Sequence, residues 1–252
     1  MDPKAIKELR SRTQAGILAC KKALEAAQGD LDQAERLIRK ETKNKKSARV
    51  ASKGLLHLAI SGNQAIVYEI NGETDFVARH ESFQELIHRI ADPLMKSAAS
   101  SATEANDVVF GSTTIRGEVA RTENIVDEQL ELRRFYRIVK RSDETFGSYN
   151  HNGKAIGLIV LASGSTELAR DLALELVSQG SEISDEPDEQ VAVDRFLELP
   201  FIKDPSKTVR EVLGAHGAVI DRFYRFELGQ GIADKLVCRL DLPCDASKVD
   251  LP

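Results

Sequence analysis

Near the amino terminus apolar residues recur at every third or fourth position, the spacing of one face of a helix. Asp2 followed by Pro3 supplies a cap and a first-turn proline, and Ile6 with Leu9 predicts a short helix ending near Arg12. Thr13 stands where it can cap a second helix, in which Ile17, Cys20, Ala23, Leu24 and Ala27 share a face and Gly29 provides a left-handed stop. Asp30 with Gln33 reads as a capping box for a third helix, whose buried stripe is Leu31, Ala34, Leu37 and Ile38. The three together predict a compact bundle. Leu18 falls about 160 degrees round from Cys20, on the side of Lys21, Lys22 and Glu25. It is either one of the exposed leucines that folded proteins commonly carry or a contact residue beside Ile17 and Arg10.

After Lys53 the pattern becomes that of strands. Leu56–Ile60 and Ala65–Ile70 flank Gly62-Asn63 and predict a hairpin, followed by a helix with Ser82 and Glu85 as capping box and Phe83, Leu86, Ile87 and Ile90 as apolar stripe. The same order returns downstream. Tyr149–His151, Asn152-Gly153 and Ala155–Leu161 predict a second hairpin, and Leu168, Leu172, Leu176 and Val177 the next helix, closed by Gly180. Arg134-Phe135-Tyr136-Arg137 recurs 88 positions later as Arg222-Phe223-Tyr224-Arg225, Ala65-Ile66 recurs 90 later as Ala155-Ile156, and Gly72–Phe76 recurs 92 later as Gly164–Leu168. Each unit is thus a hairpin, helical segments and a return strand on which Phe and Tyr point to opposite faces, one of them into the core. The hairpin turns are too short for parallel crossovers, so the fold class is α+β: a three-helix module followed by two pseudo-repeated antiparallel-sheet-plus-helix subdomains, packed side by side as a pseudo-dimer. The division expected is 1–53, 54–141, 142–232 and a tail of 233–252.

A repeat is also an internal control, because equivalent positions match where they serve the fold and diverge where they serve one copy's task. The copies diverge at the helix entrance, where Thr74-Asp75-Phe76-Val77-Ala78 presents an acid and an aromatic and the second copy has Glu167 and Leu168. From spacing alone Phe76 reads as a core residue and Asp75 as a cap. The other reading open here is a solvent-facing wedge with the acid beside it.

Composition narrows the classes further. The chain has 252 residues, 42% hydrophobic and 30% charged, and a net charge of -5, which excludes a wholly basic nucleic-acid coat protein. Residues 1–53 nevertheless carry 14 Lys or Arg against 7 Asp or Glu, much of the excess in the run from Lys40 to Arg49, which reads as a helix end and solvated tether. No aromatic interleaves that run to stack a base. Cys20, Cys238 and Cys244 are an odd set without a C-x-x-C pair and support neither a disulfide framework nor a thiolate zinc site. The longest aliphatic run, Ile156–Ala162, is far short of a membrane span, so a cytosolic protein is expected. The common phosphate-loop, dinucleotide, zinc-protease and serine-nucleophile signatures are absent. His57, His80, His88, His151 and His216 never fall at helical ligand spacing.

The blocks that remain have a family likeness. Ile6–Gly16 followed by Cys20–Leu24 and Gly29-Asp30 closely resembles the opening of the translation elongation factor Ts family. Glu69–Ala78 is similar to that family's signature in its first core subdomain, while Gly147–His151, Pro200–Ile202, Pro205–Val209 and Arg225–Gly231 resemble its second, all in family order. The resemblance implies a ubiquitin-associated-like first module, a two-part core, and a guanine-nucleotide exchange factor for elongation factor Tu that hydrolyses nothing itself and needs no cofactor or metal. Carried over onto matching positions, it implies that Asp75 and Phe76 form the exchange wedge, flanked by Thr74 and Val77. It also implies that Arg10, Ile17, Leu18 and Lys21 dock the first module, and that His151 and Ile202 reach the partner's far domain. No membrane and no direct nucleic acid are expected as partners. The sequence departs from the family in three places. Gly72 stands where relatives often have cysteine, an effect expected on local packing. Gly180–Pro200 is too short for the long helical hairpin of some members, and the tail from Ala233 does not match the family end. The rival reading is a non-catalytic RNA-associated or adaptor protein using the basic first module.

Overall fold

A computed structural model describes residues 3–13, 15–46, 51–179 and 189–230. The expected cap at Asp2, the helix stop at Gly180 and the tail 233–252 lie outside the described residues. Helices α1 (Pro3–Thr13), α2 (Ile17–Ala26) and α3 (Leu31–Lys46) enclose Leu9, Cys20, Leu24, Ala27, Ala34 and Ile38. Between α2 and α3 the chain turns through positive φ at Gln28 and Gly29, and the Asp30 carboxylate accepts the Asp32 and Gln33 backbone N–H groups, both at 2.9 Å. Two expectations fail here. Thr13 is not the cap of α2: it is the last residue of α1, its hydroxyl donates back to the Leu9 carbonyl at 2.7 Å and accepts the Ala15 N–H at 3.3 Å in the connection, and Gly16 takes the N-cap of α2. Ile17 is 59% exposed, because it opens α2 a turn ahead of Cys20, the first residue of that helix to be buried.

The first sheet unit runs β1 (Lys53–Ser61), β2 (Gln64–Gly72), α4 (Glu81–Arg89), α5 (Ala91–Lys96), α6 (Ala102–Asp107), the small hairpin β3 (Val109–Phe110) and β4 (Thr113–Thr114), α7 (Ile115–Val126) and β5 (Glu131–Val139). The second runs β6 (Thr145–His151), β7 (Ala155–Ser163), α8 (Thr166–Gln179), α9 (Glu189–Glu198), the hairpin β8 (Pro200–Phe201) and β9 (Asp204–Thr208), α10 (Val209–Ala215) and β10 (Val219–Glu227). The expected α+β class is what the chain forms. Both sheets are antiparallel with the same plan, β1-β2-β5 and β6-β7-β10, the second hairpin strand central and the return strand beside it. The cap of α4 is His80, whose Nδ1 accepts the Ser82 N–H at 3.2 Å, and not the Ser82–Glu85 pair. On the return strand Phe135 enters the core and Tyr136 faces the other way against Phe226, ring centroids 5.1 Å apart.

The central strands explain why their sequences read as near-continuous apolar runs. On β2, Ile66, Tyr68 and Ile70 meet the helices of their own unit, while Ala65 and Val67 meet Ile156, Leu158 and Val160 of β7, whose Ile159 and Leu161 meet α8. Both faces of both strands are therefore buried, and the units pack sheet face on sheet face with helices outside, not edge to edge. At the ends of this seam two arginines cross reciprocally. Arg134 on β5 donates to the Glu227 carbonyl at the end of β10 at 2.6 Å, and Arg222 on β10 donates to the Val139 carbonyl at the end of β5 at 3.3 Å. Donors and acceptors are both 88 positions apart, so the pair obeys the pseudo-two-fold relation of the repeat.

Arg134 is held by Glu69 of β2, a fully buried carboxylate that also takes a forked pair of bonds from Arg133, at 3.0 and 2.9 Å, and the Gly229 N–H at 3.1 Å. Burial alone would raise this carboxyl, but the hydrogen bonds and charges of Arg133 and Arg134 outweigh it and hold the pKa below the ordinary value. A folded-state pKa below the unfolded one contributes stability above the carboxylate range and loses it as pH falls through it. His57 acts in the same direction. Burial, with His88 next to it, lowers its pKa from 6.5 to about 4, so between those values the unfolded chain takes up a proton that the folded one refuses. Urea midpoints are therefore expected to fall as pH is lowered from 7.5 to 5, with His57 responsible for on the order of 1 to 2 kcal/mol. His57→Gln should flatten that decline, and an unchanged slope would contradict the assignment. Glu69→Ala strands two arginines and is expected to cost about 3 to 5 kcal/mol at neutral pH in the same measurement.

Candidate functional site

β2 ends at Gly72, and the chain turns over four residues before the 3-10 turn Val77–Arg79 that leads into α4. That corner is latched to the loop between α7 and β5 by two carboxylates facing opposite ways. Glu128 accepts the Thr74 N–H at 2.9 Å and the Thr74 hydroxyl at 2.6 Å, while Glu73 accepts the Gln129 N–H at 3.1 Å. Asp127, just ahead, takes a left-handed φ of 56°, which lets the chain leave α7 toward the latch. The turn is closed on its other side by the Arg79 N–H donating to the Phe76 carbonyl at 3.0 Å.

What the latched corner presents is an aromatic ring. Phe76 is 71% exposed, so the core placement read from spacing is overturned: the 3-10 turn aims Val77 inward, where the helical pattern would have put Phe76. Asp75 is exposed beside it and caps no helix, since Phe76 holds the N-cap position of the 3-10 turn and His80 that of α4. Val77, expected among the contact residues, is 2% exposed and packs in the first unit's core. It lies where a side chain at position 72 would go: a Cβ on Gly72 would stand 2.5 Å from Val77 Cγ1 and 3.3 Å from Leu130 Cδ2. Gly72 thus admits the residue that seats the corner from beneath. In the second copy no corner forms. Ser165 caps α8 by accepting the Leu168 N–H at 3.1 Å, the helix starts at once, and Leu168 is buried.

The other expected positions lie elsewhere. Arg10, Ile17, Leu18 and Lys21 are exposed on α1 and α2, with Leu18 at 68%. His151 is exposed at the end of β6, its Nδ1 3.3 Å from the Tyr149 hydroxyl. Ile202 is exposed in the two-residue turn between β8 and β9. Sequence reading missed Glu73 and Glu128, because the latch joins positions more than fifty residues apart and an acid on a surface loop has no local pattern. Among the described residues no group of His, Cys, Asp and Glu is placed to hold a metal ion, and no helix is long and apolar enough to cross a membrane.

These observations define a mixed α+β protein whose distinguishing surface is a braced corner with a projecting ring. Comparison with known proteins gives that surface a setting. A family model described as "Elongation factor TS" matches residues 73–188, beginning at the corner itself. The chain is 32% identical to "Elongation factor Ts" of Lacticaseibacillus casei and likewise to that of Lacticaseibacillus paracasei, over 91% of this chain and 92% of each relative. The chain belongs to the elongation factor Ts family, and its role is that of an elongation factor in protein biosynthesis.

The latch can be tested without any partner. Glu128→Ala removes both acceptors of Thr74, and the Thr74 amide is expected to exchange with solvent deuterium at least tenfold faster, with the global urea midpoint changed by less than about 1 kcal/mol. Unchanged exchange at Thr74 would show that the corner is held by something else.

Proposed function

We propose that the protein binds elongation factor Tu and accelerates its release of GDP, with Asp75 and Phe76 as the wedge. The single observation that carries this reading is the 71% exposure of a phenylalanine on a corner fixed from two sides. Holding a bare ring in water is unfavourable, and a carboxylate latch that keeps it there makes sense if the ring is buried in a partner. Family membership supports elongation factor Tu as the partner, and the repeat supports the assignment of the wedge, since the copy without the corner buries its equivalent leucine.

The mechanism needs no bond chemistry. A diphosphate in a GTPase is held by Mg²⁺ and by backbone N–H groups of a phosphate loop at a helix N-terminus. A rigid ring and acid inserted beside the elements that support that cation displace them without touching the nucleotide, and the diphosphate loses its counter-charge. The factor and GDP then weaken each other's binding by the same factor, as linkage requires, so incoming GTP drives the factor off and completes the cycle. On this reading Arg10, Ile17, Leu18 and Lys21 dock the 1–53 module on the GTPase domain, Thr74 holds the wedge, and His151 and Ile202 reach a second domain. The core then works as two units, 54–141 and 142–232, in a cytoplasmic exchange factor. The tail 233–252 is given no part.

Phe76→Ala is the direct test. Because the side chain is mostly in water, the urea midpoint should stay within about 0.5 kcal/mol of wild type. The rate of labelled GDP release from elongation factor Tu at saturating factor should fall about tenfold or more. Equal release rates would remove Phe76 from the mechanism.

A further inference from the structure

Helix α8 offers one polar row along its length, Asp171, Glu175 and Gln179, at successive four-residue steps and so on one face. Each member of the row holds a different point of the chain from Pro200 to Lys203. The Asp171 carboxylate pairs with the Lys203 ammonium at 2.6 Å, Glu175 Oε2 accepts the Ile202 N–H at 2.5 Å, and the Gln179 side-chain amide donates to the Pro200 carbonyl at 3.0 Å and also to Glu175 Oε1. Glu175 is the centre of the row and is fully buried. A buried carboxylate is costly, and its two oxygens are spent on fixing one backbone amide and the side chain next along the row. The apolar contacts of the second unit's core run through Leu168, Leu172 and Leu176, a stripe about 60 degrees round the helix from the row, and the row's own polar groups go to the β8–β9 turn. What the row fixes is a two-residue turn whose Ile202 side chain is left 40% exposed.

We propose that Glu175 is a positioning residue for partner binding: with Asp171 and Gln179 it clamps the β8–β9 turn so that Ile202 is held in the orientation in which it meets elongation factor Tu. This rests on the reading of Ile202 as a contact given above. The second unit therefore uses the same device as the first, a carboxylate from a neighbouring element taking the N–H of a turn that presents an apolar side chain, with Glu175 and Ile202 in the places of Glu128 and Thr74–Phe76.

The test compares Glu175→Ala, Glu175→Gln and Ile202→Ala in the full chain. Two quantities are read: deuterium exchange at the Ile202 amide in the free protein, and the factor concentration giving half-maximal GDP release from elongation factor Tu. Glu175→Ala should expose the Ile202 amide at least tenfold and raise the half-maximal concentration about tenfold, with the maximal release rate unchanged. Glu175→Gln, which keeps one oxygen acceptor and removes a buried charge whose pKa burial has raised, should restore most of both. Ile202→Ala should raise the half-maximal concentration alone, and adding Glu175→Ala to it should cost little more, because the two act through one contact. Unchanged exchange in Glu175→Ala overturns the clamp. A half-maximal concentration that rises additively in the double variant, or in Glu175→Gln as much as in Glu175→Ala, overturns the positioning role. If Ile202→Ala leaves the concentration unchanged while Glu175→Ala still exposes the amide, the contact reading of Ile202 fails and the clamp is purely structural.

Discussion

The burial of β2 and β7 on both faces is the constraint on which the rest of the molecule depends. A strand with helices on one side and another sheet on the other cannot slip by one residue without moving apolar side chains between two cores that they do not fit. The seam of Ala65, Val67, Ile156, Leu158 and Val160 therefore fixes two registers at once. Its polar ends are closed by the reciprocal arginines Arg134 and Arg222, each reaching the last carbonyl of the other unit's return strand. The corner at Gly72–Phe76 grows directly from the end of β2, so the seam is also the base against which the exposed ring is held.

On such a base a small number of surface hydrogen bonds become decisive. Thr74 to Glu128 and Gln129 to Glu73 tie the corner to the loop that leads into β5, the strand that carries the crossing arginine. A force applied to Phe76 is thus passed to β2 and β5 together and spread over the buried seam. On the proposed reading, a wedge that flexed would bind its partner without disturbing it, whereas one rooted in a doubly buried sheet would make the partner's more loosely held elements yield.

Much of this was legible in the residues, and the misses have a common physical origin. Hairpins, helical stripes and the repeat were readable because they depend on periodicities of two and 3.6 and on turn residues such as Gly62 and Gly153, which adopt positive φ as expected. The exposed face of α2 at Leu18 followed from the same angular arithmetic. Caps were less legible: Thr13, Ser82 and Asp75 all have the right chemistry, yet Gly16 and His80 take the N-cap positions because the helices start a residue or more from where the side chains alone would place them. Phe76 and Val77 could not be ordered from spacing, since a 3-10 turn rotates the chain differently from the α-helix that the second copy forms at once. Glu128 and Glu175 left no local signal at all, because each acts across a distance in sequence that only the packed fold closes.

The proposed activity is exercised in trans, on another protein's nucleotide, and the wild-type protein puts it to trial without any substitution. Elongation factor Tu loaded with labelled GDP is mixed with excess unlabelled GDP and a small fraction of an equivalent of this protein, and release is followed against a sample without it. Every GTPase molecule is expected to lose its label faster, many turnovers per molecule of factor, with no nucleotide hydrolysed by the factor alone. Release at the intrinsic rate, with the two proteins shown to be folded, would contradict the proposed activity.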